Sequence, residues 1–313
     1  MKRKVIKQGH NTLTITLPSK WAENLNIKPG DEVNLEELGT SLNISTEKAI
    51  NLDSISINLT GLDRTSIMYY IRAVYRRGFD EIKVRFDEQY THHIRIDKKK
   101  NIISVIQKEV NRLIGVEVID QKKDSCVIKD ISGDSFKDFD VILRKVFLLT
   151  NESLDNIIKG TRTKEKCFLE EVEDKHDTIT KFISYCLRLM NQKGYPDYKK
   201  SRFIYTIINA LDLIADINKY AAREIISYNK IFKKDTISVI ELIRTNFNTF
   251  YELYYQFNLQ KFAKLNEIRD KILKITDKIH NKIPGKELLI LRDMEHILEI
   301  IREISGTRMG LEY

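Results

Sequence analysis

Cysteine is scarce in this sequence of 313 residues: the three present, Cys126, Cys167 and Cys186, lie far apart. An odd number of scattered cysteines excludes a disulfide framework or a clustered zinc site, and it is typical of reduced thiols in the cytosol. Long hydrophobic runs are also missing, since no stretch approaches roughly eighteen consecutive apolar residues. The basic start of the sequence is followed by alternating apolar and polar residues. We therefore expect a cytoplasmic protein without a signal peptide or a membrane span.

Motifs of the common enzyme classes are missing as well. The sequence has no glycine-rich phosphate loop, no His-Glu-x-x-His pair and no serine-centred nucleophile elbow. His92 and His93 are neighbours on a predicted extended segment, where adjacent side chains point to opposite faces and cannot chelate a metal together. We therefore expect these histidines in a loop or at the surface, and we do not expect an enzyme.

Positive charge is in excess, with a net charge of +8. Such a balance favours acidic partners, namely nucleic acid, an anionic membrane surface or phosphate-bearing ligands, but only where the charge clusters. It clusters at the N-terminus, where no acidic residue precedes Glu23. Neutralising DNA phosphates demands such a cluster, although a basic N-terminus is also compatible with a solvated tail. The candidate DNA-binding residues are Lys2, Arg3, Lys4, Lys7, His10, Asn11 and Lys20.

Residues 1–45 alternate in the manner of short strands. Turn signals at Gly9, at Pro29-Gly30 and at Gly39 separate the runs, and Pro18 precedes a short helix that carries Trp21. The predicted order is β-β-α-β-β. Because a unit of this size is too small to bury a hydrophobic core by itself, we expect it to pair with a second copy as a dimer or higher oligomer.

The rest of the chain has two patterns. The first, over residues 50–131, mixes strand and helix signals. It predicts a small α/β domain with strands at 54–59, 81–86, 116–120 and 125–131 and helices at 63–77 and 102–113. Residues 135–306 have helical spacing throughout, with stripes of apolar residues in steps of three and four. Breaks at Gly160, Gly194-Tyr195-Pro196, Lys233-Lys234 and Pro284-Gly285 predict six long helices in two sets of three.

Two carboxylates in the helical part lie one turn apart. Asp212 and Asp216 project from one helix face, where like charges destabilise a helix unless something neutralises them. A hard divalent cation such as magnesium, manganese or iron would do so. Lys219 and Arg223 could do the same without metal.

Residues 4–38 resemble the AbrB/MazE/SpoVT swapped-hairpin DNA-binding domain. The Gly9 turn, the Leu17-Pro18 step, the short helix and the Lys28-Pro29-Gly30-Asp31-Glu32-Val33 segment occur in the order of that family. The resemblance implies a dimer with interlocked hairpins that binds double-stranded DNA.

The helical part resembles PhoU, the phosphate-uptake regulator built from two three-helix repeats. Members of that family often carry Glu/Asp-x-x-x-Asp pairs that line metal clusters, and here Glu173 with Asp177 and Asp212 with Asp216 match that pattern. The resemblance thus implies a divalent or trivalent metal, namely iron, magnesium, manganese or zinc, at these four residues. In the second repeat Asn266, Asp270, Leu291 and Glu295 stand at the matching positions, and we expect no metal there.

Taken together, these patterns predict a multidomain α+β protein. The expected parts are an AbrB-like DNA-binding and dimerisation domain at 1–48, a small α/β domain at 49–132 and a PhoU-like six-helix domain at 133–313. The leading interpretation is a DNA-binding transcriptional regulator linked to phosphate uptake or phosphate signalling. The alternative is a PhoU-like signalling adaptor that binds a phosphate transporter or a kinase, with the N-terminal module serving only for dimerisation.

Overall fold

The computed structural model describes residues 2–9, 11–38, 41–46, 53–132 and 138–313. They fall into two compact units, residues 1–55 and 56–313. Small β elements lie near the N-terminus, a β-sheet follows in the middle, and a helical bundle ends the chain. This mixed α+β class is the one the sequence predicts. The three-domain division at residues 48 and 132 stays a prediction.

The described part of the first unit contains two β-hairpins and one short helix. Its elements are β1 (Ile6–Gln8), β2 (Thr12–Thr14), α1 (Ser19–Asn24), β3 (Asn34–Leu38) and β4 (Ser41–Ser45). Each hairpin is an antiparallel two-stranded sheet. Gly9, in the turn of the first hairpin, has φ of +73°, a value at which a β-carbon is unfavourable. The predicted order β-β-α-β-β is confirmed.

The described part of the first unit contains no buried side chain. Val5, Leu13 and Leu35 are exposed by 60%, 71% and 62% of their surface. Trp21 is only half-buried. The described residues of this unit therefore form no hydrophobic core within one chain.

The middle part of the chain forms a sheet with two helices. Its elements are β5 (Ser54–Asn58), α2 (Arg64–Arg77), β6 (Glu81–Arg85), β7 (Tyr90–His93), β8 (Lys98–Asn101), α3 (Ile102–Val110), β9 (Val116–Gln121) and β10 (Ser125–Asp130). The strand order in the sheet is β5-β6-β10-β9, and β10 pairs antiparallel with both of its neighbours. Helix α2 begins after Asp63, whose carboxylate accepts hydrogen bonds from the backbone amides of Thr65 and Ser66. The helix ends at Gly78, which has φ of +102°.

The hairpin of β7 and β8 was not predicted. Strand β8 has the sequence Lys-Lys-Lys-Asn and is almost wholly exposed, so it lacks the apolar alternation by which strands are recognised. His92 and His93 lie on β7, so the prediction of a surface position is correct for His92, which is exposed. His93 is half-buried.

Six long helices complete the chain. They are α4 (Phe139–Thr163), α5 (Lys166–Lys193), α6 (Tyr198–Tyr228), α7 (Lys234–Tyr255), α8 (Leu259–Ile279) and α9 (Gly285–Gly310). Helices α4, α5 and α6 pack on one another, as do α7, α8 and α9, and the two sets meet where α6 packs on α9 and α4 on α7. Ile240, Ile243, Phe247 and Phe250 of α7, which are spaced three and four residues apart as the sequence analysis describes, are fully buried. No helix in the described ranges is both long enough and apolar enough to cross a membrane.

The predicted break at Gly160 is wrong. Gly160 lies inside α4, which continues to Thr163 and ends at Lys164 with φ of +61°. A β-carbon at residue 160 would lie 2.5 Å from Cγ of Leu169 on α5. This glycine therefore serves close helix packing and does not mark a helix end.

The sheet layer is joined to the helical bundle where α2 packs against α5. Arg188 of α5 is fully buried at this contact. Its guanidinium donates hydrogen bonds to the carbonyl oxygens of Tyr75 and Phe79, both at 3.0 Å. Arg188 thus joins the helical bundle to the sheet layer by hydrogen bonds inside the second unit.

Candidate functional site: two basic regions

The candidate DNA-binding residues of the first unit lie at its surface. Lys2, Arg3 and Lys4 precede β1 and are exposed, and Lys7 is exposed on β1 itself. Asn11 and Lys20 are also exposed, whereas His10 lies outside the described residues. The structure therefore leaves this basic segment accessible to a polyanion.

The strand register adds a constraint on Lys7. In the first hairpin Lys7 lies directly opposite Leu13, and directly opposed residues of an antiparallel pair project from the same face. Ile6 and Thr14 share the other face. A partner that buries Leu13 would therefore also lie beside the Lys7 side chain.

The four carboxylates of the predicted metal site come together in the second unit. Glu173 and Asp177 of α5 and Asp212 and Asp216 of α6 all line one groove of about 890 Å³. Residues of α2, of α3 and of the segment after β7 line the same groove. We call it the α2–α5–α6 groove. The one-turn spacing of each pair explains why both members lie on the same side of their helix.

Both α5 carboxylates are paired with arginines. Glu173 accepts hydrogen bonds from Nε and a terminal nitrogen of Arg223, the first at 2.8 Å. Asp177 forms an ion pair with Arg112, which follows α3 in the sheet layer. One of these partners comes from a neighbouring helix of the bundle and the other from a different layer.

Both α6 carboxylates are paired as well. Asp212 forms an ion pair of 2.9 Å with Arg76 of α2 and accepts a hydrogen bond of 3.1 Å from the hydroxyl of Thr180. Asp216 forms an ion pair with Lys219 one turn further along α6. Lys219 thus neutralises Asp216 without metal, as the sequence allowed, whereas Arg223 pairs with Glu173 and it is Arg76 that pairs with Asp212.

His176 lies at the centre of this network. Its Nε2 is 2.9 Å from Oδ1 of Asp216, and its Nδ1 is 3.4 Å from Oδ1 of Asp177. Burial lowers the pKa of His176, but the hydrogen bonds to Asp177 and Asp216 outweigh burial and the nearby Lys219, so the pKa is raised above its usual value. Folding therefore favours the charged imidazolium.

The same contacts keep two of the carboxylates ionised. Burial alone would raise the pKa of Asp177, but hydrogen bonds from His176 and Arg112 lower it to about 2. Burial opposes ionisation of Asp216 in the same way, and hydrogen bonds from His176 and Lys219 lower its pKa to about 2. These groups are anionic at neutral pH.

This arrangement does not fit a metal ion. Each carboxylate is directed to a cationic side chain, and among the described residues no group of three or more His, Cys, Asp or Glu side chains is placed to hold a metal. Binding iron, magnesium, manganese or zinc at Glu173, Asp177, Asp212 and Asp216 would require those cations to move away. The metal site stays a prediction of the sequence.

The positions expected to lack metal in the second repeat have other partners. Asp270 forms an ion pair of 3.0 Å with Arg269, and Glu295 one of 3.1 Å with Arg292. Leu291 is fully buried in the bundle core. The amide of Asn266 donates to the carbonyl of Phe262 at 3.4 Å.

Cations outnumber carboxylates along the α2–α5–α6 groove, with nine lysines and arginines against four acidic residues. Five of the nine are Arg64, Arg72, Arg77, Arg95 and Lys108. Of these, Arg72 pairs with the fully buried Glu109 at 2.7 Å. The remaining four have no ion-pair partner among the residues that the structure describes.

Sequence reasoning found the carboxylates but missed the groove. Arg76 and Arg112 lie on a different layer from the acids that they contact, and His176 is a single histidine in a helix. The sequence did indicate the ion pair of Lys219 with Asp216, because a spacing of three residues places both side chains on one helix face. The other partners depend on how the layers pack.

Comparison with known families identifies the N-terminal segment. Residues 6–41 match the family model described as antidote-toxin recognition MazE, bacterial antitoxin. This match confirms the resemblance inferred from the sequence. No curated protein sequence matches the chain.

Two solved structures from Shewanella oneidensis MR-1 are similar to the remainder. One is described as a PhoU-like protein, with 8% identity, and the other as a PhoU-like phosphate regulatory protein, with 9% identity. Each comparison covers 57% of this chain and 98% of the other, with a TM-score of 0.39. A score this low assigns no function. The chain thus has a MazE-like N-terminal segment, and the two PhoU-like structures match part of the chain.

Proposed function

We propose that this protein is a DNA-binding transcriptional regulator linked to phosphate uptake or phosphate signalling, with its first unit acting as the DNA-binding dimer. The observation that carries the proposal is the match of residues 6–41 to the MazE family model. The exposed basic residues at the start of that unit support it. The helical bundle would sense a signal or contact a partner, such as a phosphate transporter or another signalling protein.

Dimerisation is supported by the missing core of the first unit. Burial of apolar surface is the main favourable contribution to folding, at roughly 25 cal/mol per Å². Leu13, Val5 and Leu35 bury little of their surface within one chain. A second copy would cover these side chains and provide the core that one chain lacks.

DNA binding is supported by the charge of the N-terminal segment. Lys2, Arg3, Lys4 and Lys7 provide four cations within six residues, and a dimer doubles them on adjacent chains. Binding of such a cluster to duplex DNA releases condensed counterions, and log K then falls with log salt by roughly 0.9 for each phosphate contact.

The link to phosphate is supported by the bundle. The stretch of α6 that contains Asp212 and Asp216 resembles the PhoU pattern. The adjoining groove is rich in cations, as a sensor of phosphate-bearing molecules requires. This part of the proposal concerns the signal and is independent of DNA binding.

A gel-shift titration of the full chain at several salt concentrations tests DNA binding. We compare the wild type with Lys2→Gln/Arg3→Gln/Lys4→Gln and with the control Lys122→Gln/Lys278→Gln/Arg302→Gln, which removes three exposed cations from the second unit. The N-terminal variant should bind more weakly with a smaller salt slope, while the control should retain the wild-type slope. Equal affinity and salt slope for the two variants, or no gel shift with the wild type, would overturn the proposal and favour the signalling adaptor.

A further inference from the structure

The charge of the α2–α5–α6 groove is not balanced within the protein. All four carboxylates that line it already have cationic partners, and of the five further cations only Arg72 is paired among the described residues, with Glu109. Arg64, Arg77, Arg95 and Lys108 line the groove without an ion-pair partner in the described part of the chain. They belong to α2, α3 and the segment after β7, so the excess lies on the side of the sheet layer.

Arg64 lies close enough to Arg112 and Arg95 to be repelled by both, although Glu109 offsets part of this repulsion. Partial burial lowers the pKa of the Arg64 guanidinium, and repulsion from Arg112 and Arg95 lowers it further. Desolvation also lowers the pKa of His93, with Arg64 as the next cause. Crowded like charges in a partly desolvated cleft are unfavourable unless an anion neutralises them. The physical chemistry of this wall thus favours an anionic occupant.

The volume of the groove is suited to a small molecule and not to a nucleic acid. Its volume of about 890 Å³ lies in the range of roughly 300–1,000 Å³ that is usual for small-ligand pockets. A DNA duplex is too wide to enter such a space.

Because four cations of the groove have no ion-pair partner in the described ranges, we expect a ligand with several negative charges. Arginine presents a planar fork of donors that matches phosphate oxygens, and one phosphate group can engage several such donors. One orthophosphate would satisfy only part of a wall with four unpaired cations. A short chain of phosphates carries enough charge and enough oxygens for the whole wall.

We propose that the α2–α5–α6 groove binds a small ligand that carries a chain of phosphate groups, held by Arg64, Arg95 and Lys108. The shared chemistry is a triphosphate, and it has two sources: an inorganic polyphosphate or a nucleoside polyphosphate. Tyr69 and Tyr205 also line the groove and are exposed by 65% and 39%, so aromatic faces are available to a base. The site lies wholly in the second unit, so it does not depend on DNA binding by the first.

Isothermal titration calorimetry of the full chain without divalent cations tests this site. The probes are sodium tripolyphosphate, ATP, orthophosphate and citrate at one ionic strength. The groove variant is Arg64→Gln/Arg95→Gln/Lys108→Gln, and the matched control is again Lys122→Gln/Lys278→Gln/Arg302→Gln, which removes the same net charge elsewhere. Because Arg95 and Lys108 are exposed, Arg95→Gln/Lys108→Gln serves as a second variant should the triple variant fail to fold.

Tripolyphosphate or ATP should bind the wild type at least tenfold more tightly than orthophosphate or citrate. The groove variant should lose at least tenfold in affinity, the double variant about fivefold, and the control less than twofold. Tighter binding of ATP than of tripolyphosphate identifies a nucleoside polyphosphate as the source, and the reverse identifies an inorganic chain. The proposal is overturned if neither triphosphate binds, if orthophosphate or citrate binds as tightly, or if the groove and control variants lose the same affinity.

Discussion

The guanidinium of Arg188 and the carboxylate of Asp130 form an ion pair of 2.6 Å between helix α5 and the end of strand β10. The arginine is fully buried, and the aspartate side chain is exposed by only 10%. The guanidinium also lies 4.8 Å from the ring centroid of Tyr75. This contact holds the helical bundle against the sheet layer and so positions both walls of the α2–α5–α6 groove.

Replacing Arg188 should destabilise the second unit strongly. Arg188→Met removes the guanidinium that pairs with Asp130 and donates to the carbonyl oxygens of Tyr75 and Phe79, and breaking a buried ion pair costs about 3–5 kcal/mol. The control is Arg302→Met, since Arg302 is 59% exposed in its pair with Glu299 and should lose less than about 1 kcal/mol. Urea unfolding measures both, and equal losses would show that Arg188 is not an anchor.

Gly160→Ala should also destabilise the protein. The new β-carbon would overlap Leu169, and overpacking of this kind costs about 1–3 kcal/mol. The matched control is Gly306→Ala in α9, where no atom lies within 4 Å of the added β-carbon, so helix propensity should stabilise it by up to about 1 kcal/mol. Opposite shifts in thermal unfolding are expected. A stabilised Gly160→Ala protein would contradict the packing role.

His176 should make stability depend on pH near neutrality. Its folded pKa is raised above 6.5 because both ring nitrogens lie beside carboxylates, and both donate only in the imidazolium form. Its contribution to stability is therefore fully present below pH of about 6.5 and is lost as pH rises through the folded pKa.

The measurement is the difference in unfolding free energy between the wild type and His176→Gln across this window. That difference should fall as pH rises, whereas the variant itself should lack this part of the pH dependence. The groups that surround the ring are Asp177, Asp216, Lys219 and Thr180. A histidine signal that titrates at or below 6.5 in an NMR pH series would contradict the network.

The full chain should sediment as a dimer or higher oligomer through its first unit. Leu13→Glu places a charge on a surface that a partner chain would cover, so it should shift the protein toward monomer in analytical ultracentrifugation. Leu289→Glu is the control, because Leu289 is 63% exposed on α9 of the second unit. A monomeric wild type, or a Leu13→Glu protein with unchanged mass, would contradict dimerisation by residues 1–45.

Local signals in the sequence were enough to predict much of the fold. The strand and helix order of residues 1–45 follows from alternation and from glycine and proline positions, and the structure confirms it, while the predicted turn at Gly39 lies outside the described residues. The exposed hairpin of β7 and β8 escaped prediction because its lysines bury nothing. Gly160 was misread because a glycine that ends a helix and one that admits a neighbouring side chain look alike in sequence.

By itself, the sequence determined the order of elements, the apolar stripes of the six helices and the one-turn spacing of Asp212 and Asp216, because each depends on residues a few positions apart. Only the tertiary structure decided what those carboxylates meet. Arg76 is 136 residues from Asp212, and Arg112 is 65 residues from Asp177. Packing of α2 against α5 brings these charges together, and ion pairing acts over a few ångströms of space regardless of distance along the chain. The groove and its ion pairs therefore depend on the packing of two layers and on no segment of the sequence alone.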